Sequence, residues 1–193
     1  MPDSPASAAP DDTRTRLTAV ALRQFGNQGF ASASIRSIAA EAETNVASIA
    51  YHFGSKAGLY RACAERVADL VDGTLGMPGD SGGLTPGAAA DRLEAMLRAM
   101  VGFLVTAPMA EAMVGFILRE LADGGEALDL IYDRLFEPRH RELCALWAGA
   151  TGQPAESEAV RLAVFAMIGQ VVYFRIARPL VLRRMGWGAV GPA

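Results

Sequence analysis

The residues whose types and spacing invite a charged partner lie in one short run, Asn45, Ser48, Tyr51, His52, Ser55 and Lys56. In Gly54-Ser55-Lys56 the serine is a good N-cap, so Lys56 falls in the first turn of a helix. A helix N-terminus carries partial positive charge and favours acids there, yet this one offers a lysine with His52 one turn upstream. An external anion resolves the conflict, because free backbone N–H groups, Lys56 and His52 or Tyr51 can converge on one phosphate. A solvated lysine is the alternative. Lys56 is the only lysine of the chain, against seventeen arginines.

Two short helices and a tight turn must position these groups. Ser34 stands as N-cap of the first, where Ile35, Ile38, Ala39 and Ala42 recur at helical spacing and leave Arg36 and Glu41 outside. The second starts at Asn45, another good cap, and buries Ile49 and Phe53 against the first. Val46, Ala47, Ser48, Ala50, Tyr51 and His52 remain outward, and most are small enough to let a helix backbone approach a groove closely. An earlier helix, from Asp11 or Thr13 to Asn27, buries Leu17, Val20, Ala21 and Phe25 and closes at Gly26 to Gly29. The whole reads as a helix-turn-helix able to sit on DNA phosphates.

Residues 14–60, with Ala21, Phe25, Gly29-Phe30, Ser34-Ile35, Ile38-Ala39, Ala42, Asn45, Tyr51-His52-Phe53, Ser55-Lys56 and Leu59, resemble the DNA-binding domain of TetR-family regulators. The resemblance implies that Ser34 and Arg36 meet the backbone of a double-stranded DNA operator. It also implies that Asn45, Val46, Ala47 and Ser48 face base edges, and that Tyr51, His52 and Lys56 hold phosphates. Glu43 departs from the family pattern, which has glycine at this turn; a left-handed Glu43 would cost about 1 kcal/mol. Ala47 replaces another usual glycine and is the better helix former. The usual tyrosine before the His-Phe pair is shifted, with Ala50 followed by Tyr51, and a subset of the family carries a similar run.

At 193 residues, 51% hydrophobic and 20% charged, the chain can bury a sizeable core and is apolar for a monomer. The formal net charge of -3 argues against a generally basic binder. Locally, residues 11–60 hold five Arg/Lys against four Asp/Glu, a balance of +1 that predicts modest, salt-sensitive non-specific affinity. Cys63 and Cys144 belong to no CxxC pattern, so free thiols in a reducing cytosol are expected. No secretory signal is legible, and the most apolar run, Ala163 to Ile176, is broken by Gln170 and Arg175. The reading is cytoplasmic, without a membrane partner. Glu137, His140 and Cys144 share helical spacing, but with two histidines in the chain no metal site is assigned. Neither a cofactor nor a catalytic constellation is expected, and the chain does not read as an enzyme.

The organisation expected is all-α, an N-terminal three-helix helix-turn-helix domain plus a C-terminal helical ligand-binding and dimerisation domain. Residues 1–10 read as a disordered arm, 11–60 as the DNA-binding domain, 61–72 as a connecting helix, 73–87 as a Gly/Pro-rich linker and 88–193 as the second domain. The spacing predicts helices at about 88–106, 109–122, 126–149 and 156–178, with a short terminal one at 180–185. Pro138 falls inside the third, where it removes a hydrogen bond to Arg134 and predicts a kink.

On the helix at 156–178, Ala159, Ala163, Ala166, Gln170, Tyr173 and Ala177 form a seam at alternating spacings of four and three, as helix pairing demands. Leu162, Phe165, Ile168, Val172 and Ile176 make the other side apolar too, so the helix asks for two partners. An ordinary core helix is the plainer alternative. A homodimer built on the seam would present two recognition helices to a palindromic operator.

Met100, Phe103, Met113, Phe116, Phe136, Trp147, Phe165 and Tyr173 are part of an unusual density of methionine and aromatic side chains, a pattern more often core than cavity. The family resemblance makes a small-molecule inducer site the expectation, with Arg119, Glu120 and His140 as its polar groups; an Arg119 to Asp123 surface pair is an equal alternative. Ile117 to Glu120, the Phe136-Glu-Pro-Arg-His run and Ile168-Gly-Gln resemble the CecR-like subgroup, associated with transporter genes and antibiotic sensitivity. The function implied is a repressor released by an apolar or aromatic inducer. The alternative is a helical small-molecule-binding protein whose helix-turn-helix has lost operator recognition.

Overall fold

In the computed structural model, which describes residues 10–79, 82–125 and 127–188, the helical periodicity becomes ten α-helices and a π-helical segment. They are α1 (Pro10–Ser32), α2 (Ile35–Glu41), α3 (Val46–Phe53), α4 (Lys56–Leu75), α5 (Pro86–Thr106), α6 (Pro108–Asp123), α7 (Leu128–Ile131), the π segment Tyr132–Phe136, α8 (Glu137–Thr151), α9 (Glu158–Ile176) and α10 (Arg178–Met185). No strand occurs among the described residues, so the fold class is all-α. The expected arm, residues 1–10, lies outside the described residues except for Pro10, the first residue of α1.

Contacts divide the chain into two compact units. Among the described residues, one comprises those up to Val67 with Ala112–Ile131, and the other Ala68–Glu111 with those from Tyr132 to Gly188. Residues 112–131, assigned by the sequence to the second domain, thus pack with the first unit.

In the first unit α1 buries Leu17, Ala21, Leu22 and Phe25 along one stripe. It breaks at Gly29, within the expected closing stretch Gly26 to Gly29, with a φ of 78° that glycine tolerates and other residues resist, and a last helical turn follows to Ser32. Phe30 then joins a ring cluster in which Tyr60 stands 4.8 Å from Phe25, 4.9 Å from Phe30 and 4.9 Å from Phe116. Phe25 and Phe116 are fully buried, each worth about 1.5–3 kcal/mol of transfer free energy. A polar knot lies beside the rings. Glu120, 1% exposed, accepts hydrogen bonds from the Tyr60 hydroxyl and, at 2.6 Å, from the Ala127 N–H. A side chain at Gly125 would put a Cβ 2.5 Å from the Glu120 carboxylate, so any residue larger than glycine there would force that carboxylate to shift.

In the second unit α5, α8 and α9 pack on one another and α10 packs on α9. Met96, Leu143, Cys144, Leu146, Val160 and Val164 form the centre, with Leu93, Trp147, Met167 and Ile168 around it. The continuous helix expected at 126–149 is instead α7, the π segment and α8. Pro138 sits in the first turn of α8, where its missing N–H is tolerated, and the departure from α geometry is a widened turn upstream rather than a mid-helix kink. The seventy-third residue does not begin a linker either, since α4 runs on to Leu75.

The two sides of α9 also fall differently from the sequence reading. Val160 and Val164 are fully buried, whereas Leu162, Phe165, Tyr173 and Ile176 are all about half exposed. Of the seam, Ala159, Ala166 and Gln170 are exposed with Tyr173, Ala163 is half-buried and Ala177 is buried. Seam and supposed opposite side therefore form one broad exposed apolar arc, because at 100° per residue positions 162, 165, 166, 169, 173 and 176 share a face. By length and composition α9 is one helix apolar enough to cross a membrane, yet only 11% of that window is buried in the protein.

Candidate nucleic-acid interface and effector residues

The turn between α2 and α3 keeps the left-handed conformation without glycine. Glu43 has φ 53°, its N–H donates to the Ala40 carbonyl at 3.1 Å, and the Thr44 N–H donates to Ala39 at 2.9 Å. These two bonds close α2 and aim the chain into α3. Asn45 caps α3 as expected, its Oδ1 accepting from the Ser48 N–H at 3.0 Å. The Ser34 position is right as well, with extended backbone at φ −99° and ψ 125°, but its side chain makes no cap bond and α2 is held by the Ser34 carbonyl accepting from Ile38 N–H. Ser34 and Arg36 are left exposed.

Ile49 anchors α3 at 2% exposure, and this one burial turns Val46, Ala47, Ala50 and Tyr51 to solvent, Tyr51 at 82%. Ser48 is half-buried, its hydroxyl 3.3 Å from Asn45 Oδ1 and 2.9 Å from the Thr44 hydroxyl, so it is drawn into the cap. His52 is half-buried beside Tyr51, ring centroids 4.9 Å apart. Phe53 is only half-buried, and the Arg14 guanidinium lies 5.4 Å from its centroid.

Ser55 caps α4, accepting from the Gly58 N–H at 3.0 Å. Lys56 is not adrift in solvent. Its Nζ donates to the Ala31 carbonyl at 3.3 Å and stands 4.8 Å from the Phe30 centroid, so the protein itself steadies the cation at the helix start. The acidic side chain on α2 is also managed internally: Gln24, then Arg23, hydrogen-bond Glu41 and hold its carboxyl below the usual range. Sequence reading missed these contacts of Arg14, Arg23 and Gln24, because their partners lie too far along the chain for any helical spacing to signal them.

The residues expected to orient a ligand are divided between the units. Met113, Phe116, Arg119 and Glu120 belong to the first, where Phe116 is core, Arg119 donates to the Asn27 carbonyl at 3.2 Å, and both Glu120 oxygens are occupied. Glu120 is thus a structural carboxylate, a role its sequence neighbours could not reveal. In the second unit Phe136, His140 and Phe165 come together: Phe136 stacks on His140 at 5.6 Å, and His140 meets Phe165 at 4.3 Å. Tyr132, half exposed, extends this ladder at 6.0 Å from Phe136. His140 Nε2 lies 3.3 Å from the Arg161 carbonyl and Nδ1 3.6 Å from Cys144 Sγ. Met100 and Phe103 are half-buried on α5, and the indole N–H of Trp147 is buried without a hydrogen-bond partner.

A capped three-helix unit that holds one short helix outward, its exposed face small or polar, beside a steadied cation, defines a helix-turn-helix DNA-binding regulator. The family models agree: residues 17–63 match "Bacterial regulatory proteins, tetR family", and residues 89–193 match "HTH-type transcriptional dual regulator CecR, C-terminal domain". The chain belongs to the TetR family of transcriptional regulators, with a CecR-type C-terminal domain. It is 34% identical to the HTH-type transcriptional dual regulator CecR of Shigella flexneri, across 93% of this chain and 82% of that one. Among solved structures it is similar to AibR in complex with isovaleryl coenzyme A and operator DNA, at TM-score 0.62 and 21% identity over 84% of this chain and 85% of that one. It is likewise similar to the TetR-family regulator PfmR of Thermus thermophilus, at TM-score 0.63 and 17% identity over 88% and 86%. These relatives are regulators, not enzymes.

Proposed function

We propose that the protein is a cytoplasmic homodimeric repressor, released from a palindromic operator by a small apolar or aromatic inducer. The observation that carries the reading is the exposed apolar arc of α9, Leu162, Phe165, Ala166, Tyr173 and Ile176, on a chain with one recognition helix. Leaving such an arc in water is costly, and a second copy covers it while supplying a second recognition helix for the other half-site. In this reading Asn45, Val46, Ala47 and Ser48 face base edges, Ser34 and Arg36 meet the DNA backbone, and Tyr51, His52 and Lys56 hold phosphates. The inducer stacks on Phe136, His140 and Phe165, with Met100, Phe103, Trp147 and Tyr173 adapting around it. AibR, solved with an acyl coenzyme A and operator DNA together, supports a regulator of this fold that takes both kinds of partner. Release is a population shift, so the inducer must bind the DNA-incompetent state more tightly.

Fluorescence anisotropy tests the reading, with the purified protein titrated into duplexes from its own upstream region and into a scrambled duplex, at two salt concentrations. Selective binding at two chains per duplex is expected. Equal, weak binding to both duplexes would instead favour a ligand-binding protein that has lost its operator.

A further inference from the structure

The recognition helix α3 carries no lysine, arginine, glutamine or acid along its length. At about 100° per residue, Val46, Ala50, Ala47 and Tyr51 fall in that angular order within an arc of about 140°. These four are the exposed residues of the helix, Val46 at 38% and Tyr51 at 82%. Ser48, Ile49, His52 and Phe53 fill the other side and are buried or half-buried.

The polar groups at the start of α3 that could read a base are committed to the protein. Asn45 Oδ1 accepts from the Ser48 N–H at 3.0 Å and from the Ser48 hydroxyl at 3.3 Å, which takes both of its lone pairs. A bidentate grip on adenine needs that same oxygen to accept from N6 while the amide donates to N7, so the cap and the grip exclude one another. The Ser48 hydroxyl has a single proton, and Asn45 Oδ1 and the Thr44 hydroxyl, 2.9 Å away, are there to accept it. Guanine is read by a forked or pointed cation, and the cations around α3 are held elsewhere. Lys56 lies on the Ala31 carbonyl and the Phe30 ring, Arg14 beside Phe53, and Arg23 on Glu41. Arg36 is exposed on α2, where the reading above gives it to the DNA backbone.

With those hydrogen-bonding groups engaged, what α3 offers a major groove is methyl groups. Only A·T and T·A pairs present a methyl there, the thymine 5-methyl, and small apolar side chains are its contacts. Val46 stands in the first turn, the part of a recognition helix that meets base edges, and Ala47 and Ala50 lie on the same exposed arc.

We infer that α3 reads its operator through thymine methyl groups. Val46, with Ala47 and Ala50 beside it, packs against thymine 5-methyls, and this apolar contact carries specificity in place of hydrogen bonds to guanine or adenine. The inference rests on the operator-binding reading above and needs no inducer.

The test changes the DNA and leaves the protein intact. A duplex enriched from random-sequence DNA on the wild-type protein is resynthesised with deoxyuridine at one thymine at a time, which removes the methyl and keeps the hydrogen-bonding edge. A parallel set replaces guanine by 7-deazaguanine, which removes the N7 acceptor. Affinity should fall about fourfold for each contacted methyl removed, and stay within about twofold for each 7-deazaguanine. Val46→Ala exchanges an exposed residue for a better helix former. It should bind the enriched duplex more weakly and shrink the deoxyuridine penalty at the thymine it faces to within about twofold, because the pair has already lost one partner. Deoxyuridine without effect at every thymine, 7-deazaguanine costing more than deoxyuridine, or penalties identical in Val46→Ala and wild type would each overturn methyl readout and leave operator binding standing. Failure of wild type to enrich any duplex over the starting pool would overturn operator recognition itself, and methyl readout with it.

Discussion

The Tyr60 hydroxyl on α4 donates to the buried carboxylate of Glu120 on α6, which has one further donor, the Ala127 N–H. Burial, and then the hydrogen bond to Glu120, push the Tyr60 phenol above its usual range, which keeps it a proton donor. Tyr60→Phe keeps the ring that touches Phe25, Phe30 and Phe116 and removes only that donor. A buried carboxylate short of a donor costs about 1–3 kcal/mol, so the urea midpoint should fall with the slope unchanged. A midpoint equal to wild type would mean that Glu120 gains nothing from the bond.

Glu43 holds a left-handed φ of 53° that glycine adopts without strain. Glu43→Gly should raise stability by no more than about 0.6 kcal/mol, the relief of that strain less the greater freedom of an unfolded glycine. It should also strengthen DNA binding at low salt, by removing an exposed negative charge from the turn that leads into α3. Denaturant melts and anisotropy at two salt concentrations check the two effects separately.

For the proposed DNA contacts, Arg36→Ala should weaken binding to specific and scrambled duplexes alike and lower the salt slope by about 1. Tyr51 is 82% exposed, so Tyr51→Ala should leave the melting temperature unchanged while reducing operator affinity. A drop in melting temperature with DNA affinity retained would remove Tyr51 from the interface.

Leu162→Arg places a charge in the exposed arc of α9, beside Phe165 and Ala166 on the same face. Sedimentation should show monomers at concentrations where wild type is dimeric, and selective DNA binding should be lost with the second recognition helix. A variant that still sediments as a dimer would place the interface elsewhere.

Glu41 carries a pH signature. Gln24 first, then Arg23, depress its carboxyl pKa in the folded state. A depressed acid adds stability that is complete above its unfolded value, about 4.3, and is lost as pH falls through the folded value. Wild type should therefore lose its margin over Glu41→Gln as pH is lowered from about 6 to below 4, by a small amount because the Glu41 side chain is 43% exposed. Equal acid limbs for the two proteins would show that the pairing carries no charge dependence.

The helix-turn-helix was legible because its signals are local. Caps at Asn45 and Ser55, the buried spacing of Ile38, Ala39 and Ile49 and the strained turn at Glu43 all act within one or two turns of chain. The second domain was less so, since a methionine or aromatic residue looks the same in sequence whether it packs a core or lines a site. Phe116 proved core and Phe165 exposed, although both belong to apolar helices.

Read alone, the sequence determined the class of fold, the recognition helix and the turn that presents it, because helical period, caps and breakers depend on neighbours a few residues apart. It also marked Pro138 as a discontinuity, although not the π turn that precedes it. Only the tertiary structure decided which partners the charged and polar groups meet across the fold. Lys56 reaches Ala31, Glu41 reaches Gln24 and Arg23, Glu120 reaches Tyr60, and Arg139 reaches Asp72. Each of these bonds joins residues far apart along the chain, at separations set by how helices pack rather than by any period along one of them.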